Sequence, residues 1–232
     1  MRTHATVDAT LRRMRAGSAP LEGVVRHRSG LICFVAVLVF VAICVLAQVL
    51  RPDLDWRKDP LSHYLTGHYG GWVRGAYYQL SMALMLLGVG LYAALRPHAR
   101  RLAPLLLLVV AGIALWFTAI SETDLPFLDR DQESDLHQVA ALITFVSVTT
   151  AMMLQSWRFY YDATWRPHFG RAFPLAVVAF IALVIYANWH GAPVGLRQKT
   201  VIALILLWLG HAAWWLRCKQ LARLPAAMPP AE

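Results

Sequence analysis

The chain has 232 residues, of which 58% are apolar and 15% are charged, and its 22 lysines and arginines outnumber 13 acids to give a net charge of +9. Soluble domains average about 45–50% apolar and about 25% charged residues, so this composition excludes both a single soluble domain and a disordered chain. Three cysteines are too few for a disulfide-stapled miniprotein. The apolar residues come in long blocks, and this arrangement predicts an integral membrane protein.

Six apolar blocks are long enough to span a bilayer, which requires about 20 mostly apolar residues in a helix. The backbone must satisfy its own hydrogen bonds in lipid, so these blocks are predicted to be helices, and the alternating strands of a barrel are not seen in the sequence. The predicted fold is all-α, a polytopic membrane bundle of six transmembrane helices. The predicted spans are residues 31–50, 76–95, 102–120, 137–156, 173–189 and 199–216.

The spans divide the chain into a basic tail (1–30), a six-span membrane domain (31–216) and a C-terminal tail (217–232). The first span resembles a signal peptide in its basic flank, but its apolar run is longer than the usual 7–15-residue signal core, so we expect it to remain uncleaved. No loop is long enough for a soluble domain. Any active site is therefore expected to be built from the bundle and its short loops.

The basic residues predict the orientation of the chain. Fifteen of the 22 lie on the side of both tails and seven on the other side, while nine of the 13 acids lie opposite the tails. The positive-inside rule then puts both termini in the cytoplasm of a bacterial inner (plasma) membrane. The excess positive charge attracts anionic lipid headgroups, and no basic groove or motif indicates nucleic acid. Membrane lipids are the expected partners, and protein partners stay unknown.

Every predicted outer loop carries titratable side chains to the same membrane face. The first outer loop contains Asp59, Ser62, His63 and His68, and the third span is followed by Glu122 and Asp124. The remaining members open or close the later spans: Asp135, His137, His190, Arg197 and Lys199.

Helix capping explains some of these residues but not all. Asp59 before Pro60 and Asp135 before the fourth span are suited to cap helix N-termini, where acids are favourable. Glu122 and Asp124 instead follow a helix C-terminus, where the helix dipole disfavours anions. They therefore require a cation, for which Arg197, Lys199, a histidine or a metal ion would serve.

His137 is predicted to face the interior of the bundle. On a helix it shares one face with Thr144, Ala151 and Gln155, and small or polar residues on one face of a span pack against other helices. Polar groups in such positions are candidates for function, although a single histidine there is more often a hydrogen-bonded structural residue.

These residues make up one candidate site. Asp124, His137, Glu122 and Ser62 are the candidate catalytic residues, and the candidate substrate-binding residues are Asp59, His68, His190 and Arg197. Zinc is possible, because Asp124, His137 and His190 would supply three ligands. The chain contains no paired-histidine or paired-cysteine metal motif, so whether a metal binds is left open.

Three classes of function fit this reading. A lipid- or envelope-processing hydrolase would use Asp124 and His137 as an acid/base pair or metal site. A transporter or lipid-headgroup-binding protein would use the same pocket to bind a polar group. A structural or accessory subunit of a membrane complex would need no site at all, so the sequence leaves enzymatic activity uncertain.

Short motifs carry a resemblance to a known family. They are the D-P-L-S-x-Y run that includes Asp59, Pro60 and Ser62, the acidic step at Asp124, and His137 at the start of the fourth span. Together they resemble the domain-of-unknown-function family DUF998, whose members are six-span bacterial and archaeal membrane proteins. The resemblance covers roughly residues 30–216 and implies fold and topology only. A more distant similarity is to transmembrane hydrolases of the alkaline ceramidase type, whose paired histidines in a late span are absent from this sequence.

Overall fold

The computed structural model describes residues 28–121, 130–189 and 191–222, with side chains from Ser134 onward in the second range. Within these ranges the chain is helical and contains six helices long and apolar enough to cross a membrane. This confirms the predicted all-α, six-span fold. The helices are α1 (Ser29–Leu50), α2 (Gly70–Ala94), α3 (Leu102–Ile120), α4 (Arg130–Tyr161), α5 (Arg166–Asn188) and α6 (Val194–Leu221), and a short 3-10 helix (Leu61–Leu65) lies between α1 and α2.

The six helices form a closed ring in chain order. Each helix packs against the next one, and α6 returns to pack against α1. Apart from the longer connection 51–69, short connections join antiparallel neighbours, and a short loop can only join helix ends that lie side by side. The ring encloses an interior that is mainly apolar, with a few buried polar side chains.

The two ends of the bundle differ in what they carry. We call one end of the bundle the terminal face. It contains the start of α1, the end of α6 and the connections 95–101 and 162–165. The opposite end, with the connections 51–69 and 189–193 and the end of α3, is called the distal face. Within the described residues, the first predicted outer loop and the described part of the last one lie at the distal face.

Several helices extend beyond the predicted spans. α2 begins at Gly70, α4 continues to Tyr161, and α6 runs to Leu221. Hydropathy marks only the apolar part of a helix, whereas backbone hydrogen bonding continues into the polar flanks until a capping or breaking residue intervenes.

The two predicted N-caps are wrong. α4 already begins at Arg130, so Asp135 lies inside the helix rather than before it. The 3-10 helix begins after Pro60 without a side-chain cap, and Asp59 instead accepts a hydrogen bond from the backbone N–H of Asp55 at 2.7 Å. Asp59 therefore stabilises the preceding turn, which the local sequence pattern did not reveal.

The predicted inward face of α4 is confirmed. Thr144, Ala151 and Gln155 are all nearly inaccessible, and His137 is half-buried at the distal end of the same face. The Thr144 hydroxyl donates to the carbonyl of Ala140 on its own helix at 2.8 Å, which satisfies it without a partner from another helix.

A buried carboxylate ties the connections of the terminal face together. Asp162 has no exposed surface, and its carboxylate accepts hydrogen bonds from the Arg96 N–H at 2.7 Å and from the Thr164 N–H and hydroxyl at 2.9 and 2.7 Å. Burial alone would raise the pKa of Asp162, but these hydrogen bonds to the ionised form outweigh it and lower the pKa. The α2–α3 connection is thereby held against the α4–α5 connection.

Candidate functional site

A small cavity lies inside the ring at its distal half. It has a volume of about 70 Å³ and is lined by α1, α2, α3, α4, α6 and the short 3-10 helix. The polar lining residues other than Thr144, which lies midway along α4, are near the distal ends of their elements, whereas the deeper walls are mainly apolar and include Leu84, Val148 and Leu209. The polar members of the lining are Ser62, Thr118, His137, Thr144 and Gln198.

His137 is held in a defined orientation by the end of α3. Its Nδ1 lies 3.1 Å from the carbonyl oxygen of Thr118 and 3.3 Å from the hydroxyl oxygen of Ser121, which itself donates to the same carbonyl at 3.2 Å. A carbonyl only accepts hydrogen bonds, so Nδ1 carries a proton. When the ring is neutral, Nε2 is then the nitrogen with the lone pair, which is the form required of a base or a metal ligand.

The connection 51–69 covers the cavity and is attached to the start of α6. The Leu61 N–H donates to Oε1 of Gln198 at 2.8 Å, and the Gly195 and Leu196 N–H groups donate to the carbonyls of Lys58 and Arg57 at 3.1 and 2.8 Å. A side chain at Gly195 would overlap the Asp59 carbonyl, because an added Cβ would lie only 2.4 Å from its oxygen. This close approach places Ser62 on the cavity wall.

Internal contacts give this cover a fixed shape. The Arg51 guanidinium pairs with Asp53 at 2.7 Å and donates to the carbonyls of Thr66 and His68 at 2.8 and 3.2 Å. The hydrogen bond from Arg51 holds the pKa of the Asp53 carboxyl below its ordinary value. Gly67 has a φ of +70°, a conformation that glycine adopts without strain. The cover is thus a structured element.

Two of the predicted site residues meet at this cavity. Ser62 and His137 both line it, and their assignment as catalytic residues stays a prediction. Asp59 and His68 lie on the covering connection outside the lining, where Asp59 contacts His63 at 3.2 Å and the His68 ring packs against Tyr69. Their assignment to substrate binding stays a prediction.

Arg197 has a different set of contacts from the predicted one. Its Nε donates to the carbonyl of Ala192 at 2.9 Å, and one terminal nitrogen donates to the carbonyls of Tyr186 at 2.8 Å and Trp189. The guanidinium thereby satisfies carbonyls at the end of α5, where a cation is favourable. In the described part of the chain its contacts are those of a helix C-cap.

Glu122, Asp124 and His190 lie outside the described residues, so the predicted acid–histidine pair stays a prediction. Among the residues that are described, no three His, Cys, Asp or Glu side chains are grouped as a metal site would require. The proposed zinc ligands Asp124 and His190 fall in the undescribed segments, and the zinc hypothesis is therefore untested.

Gln198 and Thr118 also belong to the site, although no sequence motif marked them. Gln198 is 8% exposed and Thr118 is 4% exposed, and both line the cavity. Gln198 lies between Arg197 and Lys199, just before the predicted sixth span, where a polar residue is ordinary and gives no separate signal. Thr118 gave no signal either, since a threonine hydroxyl can donate to a carbonyl of its own helix, as this one does to that of Ala114 at 3.0 Å.

Comparison with known families agrees with this architecture. The model of the family described as "Protein of unknown function (DUF998)" matches residues 34–215, which is most of the chain and includes every helix that lines the cavity. The chain belongs to this family. No curated protein and no solved structure was found to match it. Membership in DUF998 thus confirms the resemblance seen in the motifs and assigns no reaction, so function has to be argued from the cavity.

Proposed function

We propose that this DUF998 protein handles a membrane lipid, whose polar end enters the distal cavity beside Ser62, His137 and Gln198. The observation that carries the proposal is the polarity gradient of the cavity. Hydroxyl, imidazole and amide groups line its distal end, and leucine and valine side chains line its deeper walls. An amphiphile lying in a bilayer has the same gradient along its length.

The cavity volume limits what enters. About 70 Å³ holds a few water molecules or a small polar fragment, and it is far below the roughly 300–1,000 Å³ of sites that enclose whole ligands. The cavity therefore suits one hydroxyl, carbonyl or phosphate group of a lipid whose remainder stays in the bilayer. This supports a protein that engages the polar end of a lipid.

A photoactivatable headgroup tests the proposal. Phosphatidylglycerol with a diazirine on its headgroup is expected to label peptides that contain Ser62 or His137 in the reconstituted protein. Ala141→Phe fills the cavity from α4 and should reduce labelling on the order of tenfold, equivalent to about 1.4 kcal/mol of binding. The labelled peptides are read by mass spectrometry.

The matched control is Leu142→Phe, one residue along α4. Leu142 is 58% exposed on the outer surface of the bundle, so the same ring added there leaves the cavity unchanged. Labelling that avoids the cavity peptides, or that survives Ala141→Phe, would contradict the proposal.

A hydrolase that processes envelope lipids is the second candidate, and one observation favours it. The Ser62 hydroxyl and the His137 imidazole line the same cavity, and the Thr118 carbonyl orients the imidazole. If His137 acts as a base, His137→Gln should lower turnover of fluorescent ester lipids by about 10²–10⁴-fold, whereas His63→Ala on the exposed cover should not. Equal turnover by wild type and His137→Gln would contradict a role for His137 as the base, and no turnover by either protein would leave lipid binding without hydrolysis.

The proposal includes an orientation. We infer that the terminal face lies in the cytoplasm of a bacterial inner membrane, since 15 of 22 basic residues lie on that side of the spans. A reporter fused after Glu232 is then expected to be cytoplasmic, and one inserted within residues 129–135 is expected to be exterior. If the reporter after Glu232 is exterior, the orientation is the reverse, and the cavity then opens toward the cytoplasmic leaflet.

A further inference from the structure

A second, larger depression lies on the outside of the ring between α1 and α6. It has a volume of about 770 Å³, within the usual size of ligand sites, and its walls are mainly apolar. Gly210 forms part of its floor, where an added Cβ would meet only the Val37 side chain, at 3.9 Å. We call this depression the α1–α6 groove. It faces the region that bilayer hydrocarbon occupies.

Lys199 lies at the distal end of the α1–α6 groove, beside Trp56. Its ammonium donates to the backbone carbonyls of Trp56 and Asp59 at 2.6 and 2.9 Å. These neutral acceptors use two of the three N–H donors of a lysine. The same nitrogen lies 5.3 Å from the centre of the Tyr64 ring, and no carboxylate of the described residues lies within 4 Å of it. The groups in direct contact with the ammonium are therefore neutral and leave its charge in place.

The partly buried ammonium of Lys199 favours an anion at the end of the apolar groove. A charge taken out of water is costly unless it is paired, and charged residues in spans generally have a specific partner. The partner that a bilayer supplies at this depth is a lipid phosphate. The charge of Lys199 and the shape of the groove both suit a phospholipid, because a phosphate bound at Lys199 places an acyl chain of the same lipid along the groove.

The α1–α6 groove and the distal cavity share one wall. Phe40, Ile202 and Leu206 line both spaces. Neighbouring residues also point to opposite sides of this wall: Leu61 and Lys199 line the groove, whereas Ser62 and Gln198 line the cavity. A lipid bound in the groove therefore holds its polar end next to the cavity wall.

We propose that the α1–α6 groove binds a phospholipid, with its phosphate on Lys199 and one acyl chain lying across Gly210. The proposal rests on the lipid-handling function inferred above and names the lipid class and the path of its chain. The lipid enters laterally from the distal leaflet, and its polar end reaches Ser62 past the shared wall.

Two probes with the same acyl chains separate the phosphate from the chain. One is phosphatidylglycerol with a diazirine in an acyl chain, and the other is diacylglycerol with the same diazirine and no phosphate. In the reconstituted protein the phospholipid probe is expected to label α1 and α6 about tenfold more than the diacylglycerol probe, because only the phosphate gains a charge-assisted hydrogen bond.

Two substitutions then act on different parts of the lipid. Lys199→Gln is expected to lower phospholipid labelling to the diacylglycerol level and to leave the diacylglycerol probe unchanged, whereas Lys199→Arg retains the preference. Gly210→Leu fills the groove about 16 Å along α6 from Lys199, away from the covering connection, and should reduce labelling by both probes. The matched control Gly170→Leu adds the same side chain at an exposed α5 position with open space.

The outcomes distinguish this inference from the proposed function. Equal labelling by both probes, or a Gly210→Leu protein that labels like Gly170→Leu, would overturn the groove proposal. Headgroup labelling at Ser62 or His137 would in that case still support the cavity, with its lipid arriving by another route. Lys199→Gln also removes the hydrogen bonds to the cover and can lower the melting temperature. In that case Gly210→Leu alone decides whether the acyl chain lies in the groove.

Discussion

Asp162→Ala is expected to destabilise the protein by about 3 kcal/mol or more. The substitution removes three hydrogen bonds to a carboxylate with no exposed surface and leaves the Arg96 N–H without its acceptor. Hydrogen bonds to charged groups contribute about 1.5–3 kcal/mol each, and an orphaned buried donor costs a further 1–3 kcal/mol. The melting temperature in detergent should fall by several degrees, while Asp162→Asn, which retains one carbonyl oxygen, should lose less.

Asp135→Ala is the matched control, because Asp135 is an exposed acid near the other end of α4. It should change stability by less than about 0.5 kcal/mol, as surface substitutions usually do. Equal melting temperatures for the Asp162 and Asp135 variants would show that the two connections are not held together through this carboxylate.

The same carboxylate predicts an acid limit to stability. Its pKa is lowered in the folded protein, so the ionised form contributes stability that is fully present above the ordinary value of 3.8. That contribution is lost as the pH falls through the lowered pKa of the folded state. Below about pH 4, the melting temperature of the wild type should therefore fall more steeply with decreasing pH than that of Asp162→Asn.

Gly112→Leu is expected to force α2 and α3 apart. A Cβ added at Gly112 would lie 2.7 Å from the Ser81 carbonyl oxygen and 2.9 Å from the Met85 side chain. Backbone cannot rotate away as a side chain does, and small residues allow this close contact between transmembrane helices. Overpacking costs about 1–3 kcal/mol or more, and because the cavity is lined from both helices, lipid labelling should fall with stability.

The glycine control is Gly170→Leu, which adds the same side chain where no atom lies within 4 Å. It is expected to melt at or slightly above the wild-type temperature, because leucine is a better helix former than glycine. Equal melting temperatures for Gly112→Leu and Gly170→Leu would contradict the prediction.

The candidate site was only partly predictable. Ser62 and His137 were named because unusual polar residues cluster at the distal ends of the spans, and the structure places both on one cavity. The inward face of α4 followed from its helical period alone. Asp135 as a cap was wrong, since no local signal marks that α4 starts at Arg130.

The contacts of the two distal cations show why the rest was not predictable. Arg197 and Lys199 were two of the cations named as partners for Glu122 and Asp124, which lie outside the described residues. Within the described residues both side chains donate to backbone carbonyls, those of Tyr186, Ala192, Trp56 and Asp59. A side-chain type indicates charge, whereas the choice of acceptor depends on which backbone segment folds against it. No pattern in the sequence carries that information.

The number of spans, their helical character and the family could be predicted from the amino-acid order alone, because a bilayer imposes its length and hydrogen-bonding requirements on each segment independently of the others. Which polar groups meet depends instead on how the helices and the cover pack together. Ser62 reaches the cavity because the cover is hydrogen-bonded to Gln198 and Gly195 of α6, and α6 lies there because the ring closes on α1. These are contacts between segments far apart in the chain, and they depend on how the helices rotate and pack against one another.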